Sequence, residues 1–330
     1  MTRVLSGIQP TGELHIGNYF GAIRNWVRLQ ALHDCFYMVV DYHAITMDFT
    51  PAELSANTLQ MARDLLACGI DPARCTFFVQ SHVSEHTELA WIFNCFTSVG
   101  ELSRMTQFKS KSEQQKEFVS AGVFDYPVLQ AADILIYKAD FVPVGEDQVQ
   151  HLELTNDIRE RFHSRVGLQI FPEVRPILSE TPRIMSLADP TKKMSKSLGP
   201  MHYIGVFEPP DSIHKKIRSA VTDVGLEKTE GMSPGVKTLF ELLKITAPAN
   251  IYESFLAQHA AGTLKYSELK PAVYEYLMKE LAPIQERRKG LSDDEVRTIL
   301  RAGGAQARGV ASETMRAVRS ALGTLPLSSS

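Results

Sequence analysis

The chain has 330 residues, 44% of them hydrophobic and 22% charged, ordinary globular proportions with length for roughly two domains and a sizeable core. A formal net charge of −3 does not mark a nucleic-acid binder, although a local basic patch is enough to make one. Cys35, Cys68, Cys75 and Cys95 form no C-x-x-C pair, which excludes zinc and iron–sulfur spacing and leaves free structural thiols as the expectation.

The N-terminus lacks the charged-then-apolar pattern of a signal peptide, and its "RVLS" reads as a short strand. Gly17 to Leu32 carries helical spacing, and "CFYMVVD" is rich in β-branched and aromatic residues, as a buried strand should be. That apolar run is far too short to span a bilayer, so a cytoplasmic protein without membrane contact is expected. In "TPAELSANTLQMARDLLACG", Thr50 and Glu53 suit a capping box, Pro51 the first helical position and Gly69 the end. Leu54, Met61, Leu65 and Cys68 recur there at helical intervals. "CTFFVQS" is another strand, followed by a helix through Leu89, Ile92, Phe93 and Phe96. "YPVLQAADILIY" predicts a buried helix, "FVPVGED" a strand leading into a turn, and "QHLELTNDIRERF" a helix. Such alternation predicts a parallel sheet covered on both faces. Ligands of such sheets bind at the carboxyl ends of strands near a switch in strand order, so the loops after "RVLS", "MVVD" and "FVPV" are the candidates.

After "RIMSL" the pattern becomes helical: "TLFELLKIT", "IYESFLAQHA", "ELKPAVYEYLMKELAPIQERRKG" and "SDDEVRTILRAGGAQARGVASETMRAVRSAL". "EPPDS" and "TEGMSPG" read as linkers and "LPLSSS" as a frayed tail. From Leu281 onward eight Lys/Arg stand against five Asp/Glu, either a solvated face or a surface for an acidic partner.

Two stretches could carry chemistry. In the first loop Gly7 ends a strand, Pro10 and Gly12 shape a turn, and Gly17 and Asn18 open a helix. A helix N-terminus offers unpaired N–H groups to a phosphate, and His15 and Asn18 could add hydrogen bonds; the plainer reading is a turn with a surface histidine. No Walker A loop or G-x-G-x-x-G is present. The second stretch, "KMSKS", sets Lys193 and Lys196 around small hydroxyls. It is either a solvated basic turn or a loop that closes on a triphosphate and meets charge growing in a phosphoryl transition state.

Together, "HIGN" near the N-terminus and "KMSKS" after the alternating region resemble the HIGH and KMSKS signatures of class I aminoacyl-tRNA synthetases. Asn18 at the fourth HIGH position, with "SGIQPTG", "VDYHAIT", "MTQFK", "AADIL", "VPVGEDQ" and "RIMSLADPTKKMSKS" in this order, is similar to the bacterial tryptophanyl branch. The resemblance implies an α/β fold, a Rossmann-type doubly wound parallel sheet with a second, all-helical domain. Its implied divisions are a catalytic domain over 1–192, the KMSKS loop with a helical anticodon-binding domain over 193–285, and a C-terminal helix packing back over 286–330.

It further implies that Gln9, Pro10, Thr11, His15, Gly17 and Asn18 line an ATP site. Gly145, Glu146, Asp147 and the backbone near Ile184 would hold adenosine and ribose. Lys193, Met194, Ser195, Lys196 and Ser197 would grip the phosphates, with Lys111 reaching across; Lys111, Lys193 and Lys196 are the implied catalytic residues. Asp133 would accept the indole N–H of tryptophan, because an indole nitrogen only donates and a carboxylate only accepts. Gly7, His43, Tyr126, Gln130, Val142, Val144 and Gln148 would complete that pocket. Without the resemblance, His43 is a satisfied buried histidine and Tyr126 and the valines are core, whereas a buried Asp133 needs a donor from ligand or neighbour. Gln130 stands where some relatives carry methionine, and Leu198-Gly199-Pro200 where others have "DPN".

The implied reaction is tryptophan–tRNA ligation: L-tryptophan and ATP, supplied with Mg²⁺ and without a protein-ligated metal, give the adenylate and pyrophosphate. The tryptophanyl group then passes to the terminal adenosine of tRNA(Trp), on a homodimer. The alternatives are a tyrosyl-tRNA synthetase and a non-catalytic nucleotide-binding paralogue.

Overall fold

The structure is a computed structural model that describes residues 2–108, 118–145, 148–178, 184–222 and 231–325. Among the described residues five strands, β1 (Arg3–Ile8), β2 (Asp34–Val39), β3 (Cys75–Val79), β4 (Phe141–Val144) and β5 (Arg175–Leu178), form one parallel sheet in the order β3-β2-β1-β4-β5. Period-two alternation puts Cys35, Tyr37 and Val39 into one core and Phe36, Met38 and the following Val40 into the other. A strand apolar on both faces needs helices on both.

The first face is covered by a helical run that begins at Ile16–Asn18, passes through a π-helical turn at Tyr19–Ile23 and ends in Arg24–Leu29, and by helix α1 (Pro51–Ala67). Helices α2 (Glu85–Asn94), α3 (Ala121–Ile136) and α4 (Val149–Val166) cover the second. Thr50 caps α1, but its hydroxyl donates to the Glu53 carboxylate at 2.7 Å, a side-chain pair in place of the reciprocal box.

Helices α5 (Pro210–Ser219), α6 (Pro234–Thr246), α7 (Ala249–Ala260) and α8 (Tyr266–Lys289) follow. The core built on the first face of the sheet continues through α6 and α8, via residues such as Leu239, Leu243, Val273 and Leu277. Helix α9 (Asp293–Leu322) starts with Ser292 accepting from the Glu295 N–H. Its Val296 and Leu300 enter the first core, its Ala307, Ala311 and Met315 the second. Between them it lies against β3: a Cβ on Gly303 would stand 1.8 Å from the Phe77 carbonyl oxygen. The glycine costs about 1 kcal/mol of helix propensity and permits a contact that shields the outer edge of the sheet.

Two expectations are corrected. "EPPDS" is not a linker, because Pro210 opens α5 and its missing N–H is one the first helical turn leaves unpaired anyway. Pro234 and Gly235 of "TEGMSPG" likewise begin α6, where a Cβ on Gly235 would come 2.0 Å from the Val221 carbonyl. Strand β5 escaped the sequence reading, being four residues long with a proline, tolerated only because it is an edge. Residues 229–230 and 326–330 of the proposed linker and tail lie outside the described residues. Among the described residues, no helix is long and apolar enough to cross a membrane.

Candidate active site

The chain starts in the middle of the sheet, adds β2 and β3 on one side and returns to place β4 on the other, so the order switches between β1 and β4. β1 pairs with β2 over six residues from Arg3 to Ile8, yet meets β4 only at Val4–Phe141. The two strands part above that pair. A cavity of about 430 Å³ opens there, lined by Ser6 and Gly7 of β1 and by Val142, Pro143 and Val144 of β4. The volume lies in the range of small-molecule sites, and the location is the one strand topology favours.

All eight residues expected to bind an amino acid line this cavity: Gly7, His43, Tyr126, Gln130, Asp133, Val142, Val144 and Gln148. Gln9 and Gly145, expected at the nucleotide, line it too. Gly7 allows the walls to close, since a Cβ there would stand 2.7 Å from a Val40 methyl. Asp133 is 2% exposed on α3, yet it is not an isolated charge. His43 Nε2 donates to Oδ2 at 2.9 Å, His86 Nδ1 to Oδ1 at 2.5 Å, and Gln80 Nε2 contacts both oxygens at 2.8 and 2.9 Å. Burial pushes the Asp133 pKa up, but the adjacent His86 and His43 outweigh it and hold the carboxyl at about 2. His43 is therefore both a satisfied buried histidine and a cavity wall, while Tyr126 meets it edge-on and bonds His151 at 3.0 Å.

Sequence reasoning missed Gln80 and His86, and Ser6, Trp26 and Gln107 on the cavity wall. Gln80 directly follows β3, so inspecting the end of every strand would have reached it. A histidine such as His86, fully buried inside an ordinary helix, leaves no local signal.

Beyond the cavity mouth the two signature stretches come together. Lys196 donates to the Thr11 carbonyl and, at 3.1 Å, to the Glu13 carbonyl. A Cβ on Gly12 would stand 3.5 Å from the same ammonium. The stem of the KMSKS loop is a short antiparallel pairing in which Met194 N–H bonds the Ile184 carbonyl at 3.0 Å, tying Ile184 to Met194. Lys193 is exposed, and Ser195 caps the turn Lys196–Leu198 with its hydroxyl 2.9 Å from that of Ser197. Thr11 is exposed and Pro10 buried at the base of the first loop. Lys111, Glu146 and Asp147 lie outside the described residues.

His15 is pinned at the start of its helix, where the Asn18 side-chain oxygen accepts its backbone N–H at 3.3 Å. That bond leaves the Asn18 amide hydrogens for another acceptor. A Cβ on Gly17 would fall 2.8 Å from the imidazole, so any larger residue there would displace the ring from this position. Burial, then Lys196 and Lys193, lower the His15 pKa from 6.5 to about 4. Its imidazole is thus neutral at pH 7 and offers a hydrogen bond instead of a charge. NMR titration of the His15 ring is expected to show a midpoint near pH 4, well below the ordinary histidine value of about 6.5. A midpoint at or above the ordinary value would separate His15 from both lysines. The sign also fixes stability: the contribution of neutral His15 is complete above pH 6.5 and lost as pH falls through about 4.

The comparisons with known proteins agree with this arrangement. Residues 1–282 match the family described as tRNA synthetases class I (W and Y). Tryptophan–tRNA ligase 2 of Streptomyces avermitilis is 48% identical, over 98% of this chain and 97% of its own. Tryptophan–tRNA ligase of Caldanaerobacter subterraneus subsp. tengcongensis is 46% identical, over 98% and 99%. Among solved structures, tryptophanyl-tRNA synthetase from Campylobacter jejuni complexed with ADP and tryptophan superposes with a TM-score of 0.85 at 33% identity, covering 98% of this chain and 100% of that one. A switch-point cavity floored by a carboxylate, two converging signature loops and full-length likeness together place the chain in the class I tRNA synthetases, among the tryptophan–tRNA ligases.

Proposed function

We propose that this chain joins L-tryptophan to tRNA(Trp) in two steps. In the first, the tryptophan carboxylate attacks the α-phosphorus of ATP, the bond to the bridging oxygen breaks, and pyrophosphate leaves with the Mg²⁺ that entered with ATP. In the second, the terminal adenosine of the tRNA takes the acyl group and AMP leaves. An amino-acid carboxylate is already ionised at neutral pH, so the first step needs no protein base. Positioning and charge stabilisation carry it.

In this reading the indole enters the cavity with its N–H toward Asp133, between Val142, Val144, Tyr126 and Gly7, while Gln130 and Gln148 face the polar end. Neutral His15 and the Asn18 amide meet phosphate oxygens, and Gln9, Pro10, Thr11 and Gly17 form the backbone floor. Gly145, Glu146, Asp147 and Ile184 hold adenosine and ribose, and Lys193 to Ser197 the triphosphate. The roles of Lys111, Glu146 and Asp147 rest on the resemblance alone. The single observation that supports the reading best is Lys196 seated on the carbonyls of the first loop. That contact brings together two stretches distant in sequence, close to Gln9 on the cavity wall.

We further assign the helices after the KMSKS loop to anticodon recognition, the cytoplasm as compartment, and a homodimer formed through the first domain. Trp91 on α2, 72% exposed, and the similarly bare Val99 are apolar side chains such an interface would cover. Pyrophosphate exchange measured with tryptophan and with tyrosine tests the central claim. Exchange with tryptophan and little with tyrosine is expected; the reverse preference, or ATP binding without exchange, would defeat it.

A further inference from the structure

Asp133 shares the cavity wall with His43, but two of its partners lie behind the wall: Gln80 and His86 do not line the cavity and are fully buried. A carboxylate only accepts, so the His86 bond at 2.5 Å is donated from Nδ1. Its Nε2 lies 2.7 Å from the Tyr137 hydroxyl, in hydrogen-bond contact with it. Tyr137 is itself fixed, with no exposed surface and its ring stacked on Phe36 at 4.7 Å. A continuous line of oriented groups thus runs from the β2 core through Tyr137 and His86 to the carboxylate. The rotation of a carboxylate about its last bond is soft. Here Oδ1 is tied to His86 from behind and Oδ2 is bonded by His43 and Gln80, so the plane of the group is set before a ligand arrives.

We propose that His86, braced by Tyr137, is a positioning residue for indole recognition: it aims the Asp133 carboxylate at the ligand's N–H without touching the ligand. This rests on the tryptophan reading above. A residue that merely satisfied buried charge would matter equally for any occupant of the cavity. One that aims an acceptor matters only for a ligand with a donor to meet it.

The test compares kcat/KM in pyrophosphate exchange for tryptophan and for its analogue with sulfur in place of the indole N–H. His86→Leu is expected to lower the tryptophan value about 10–100-fold, the weight of a hydrogen bond to a charged group, with the sulfur analogue and the KM for ATP nearly unchanged. His86→Asn, whose amide can occupy the Nδ1 position, is expected to recover most of the loss. Tyr137→Phe removes one oxygen and is expected to show a smaller loss confined to tryptophan, which keeps the test open should His86→Leu fail to fold. Equal losses for both substrates, or parental tryptophan values in His86→Asn and Tyr137→Phe alongside no selective loss in His86→Leu, overturn the proposal. Absence of exchange in the unaltered protein would instead overturn the tryptophan reading itself.

Discussion

Lys196→Ala is expected to lower tryptophan-dependent pyrophosphate exchange by about 10²–10³-fold, the cost of removing one charged donor aimed at developing charge. The first loop turns the carbonyls of Thr11 and Glu13 toward the space where phosphates would lie, and the Lys196 ammonium sits on both. Carbonyl oxygens repel phosphate oxygens, and the ammonium masks both carbonyls. In the proposed reaction it would exchange them for phosphate oxygens as charge moves onto the leaving pyrophosphate. Burial lowers its pKa while Glu13 acts in the opposite sense, a balance suited to a cation that is only partly hydrated. The control is close at hand. Lys192 is exposed and paired with Asp189 at 3.2 Å, a surface contact of little weight, so Lys192→Ala is expected to stay near the parental rate. Parental exchange in Lys196→Ala would remove the role assigned to this ammonium, and an equal loss in both variants would show that the loop acts only through its overall charge.

Where local chemistry carried the information, the sequence was sufficient. β2 and β3 are β-branched and aromatic runs, and α1 begins at a threonine followed by proline. "YPVLQAADILIY" was legible as a helix despite Pro127, because its apolar residues continue past the first turn. What failed was punctuation. Proline reads as a linker in "EPPDS" and as a strand breaker in β5, but its missing N–H is harmless in a first helical turn and on a sheet edge. Gly303 was unreadable for a different reason, since its cause is the Phe77 carbonyl more than two hundred positions away. The site divides in the same way. Cavity walls followed from the resemblance and from the rule that ligands gather at strand ends. The partners behind Asp133 did not, because Gln80 and His86 reach it from other elements through contacts that no local pattern encodes.

Asp133→Asn is expected to separate recognition from the rest of the reaction while weakening the fold. The native carboxylate takes donors from His43, His86 and Gln80 on its two oxygens. An asparagine offers one oxygen and turns an amide against donors it cannot satisfy. One or two stranded donors at about 1–3 kcal/mol each give an expected loss near 3 kcal/mol in unfolding free energy, measured by urea titration. The indole N–H loses a charged acceptor at the same time, so kcat/KM for tryptophan is expected to fall about 10²-fold, with ATP binding retained because the phosphate loops do not touch this residue. Acid adds an independent reading. The folded pKa is depressed from 3.8 to about 2, so the stability this carboxylate contributes is complete above pH 3.8 and is lost as pH falls through about 2. The parent should therefore lose stability across that interval by a step that Asp133→Asn lacks. A variant with parental stability and parental discrimination for tryptophan would mean that the carboxylate serves neither the fold nor the indole.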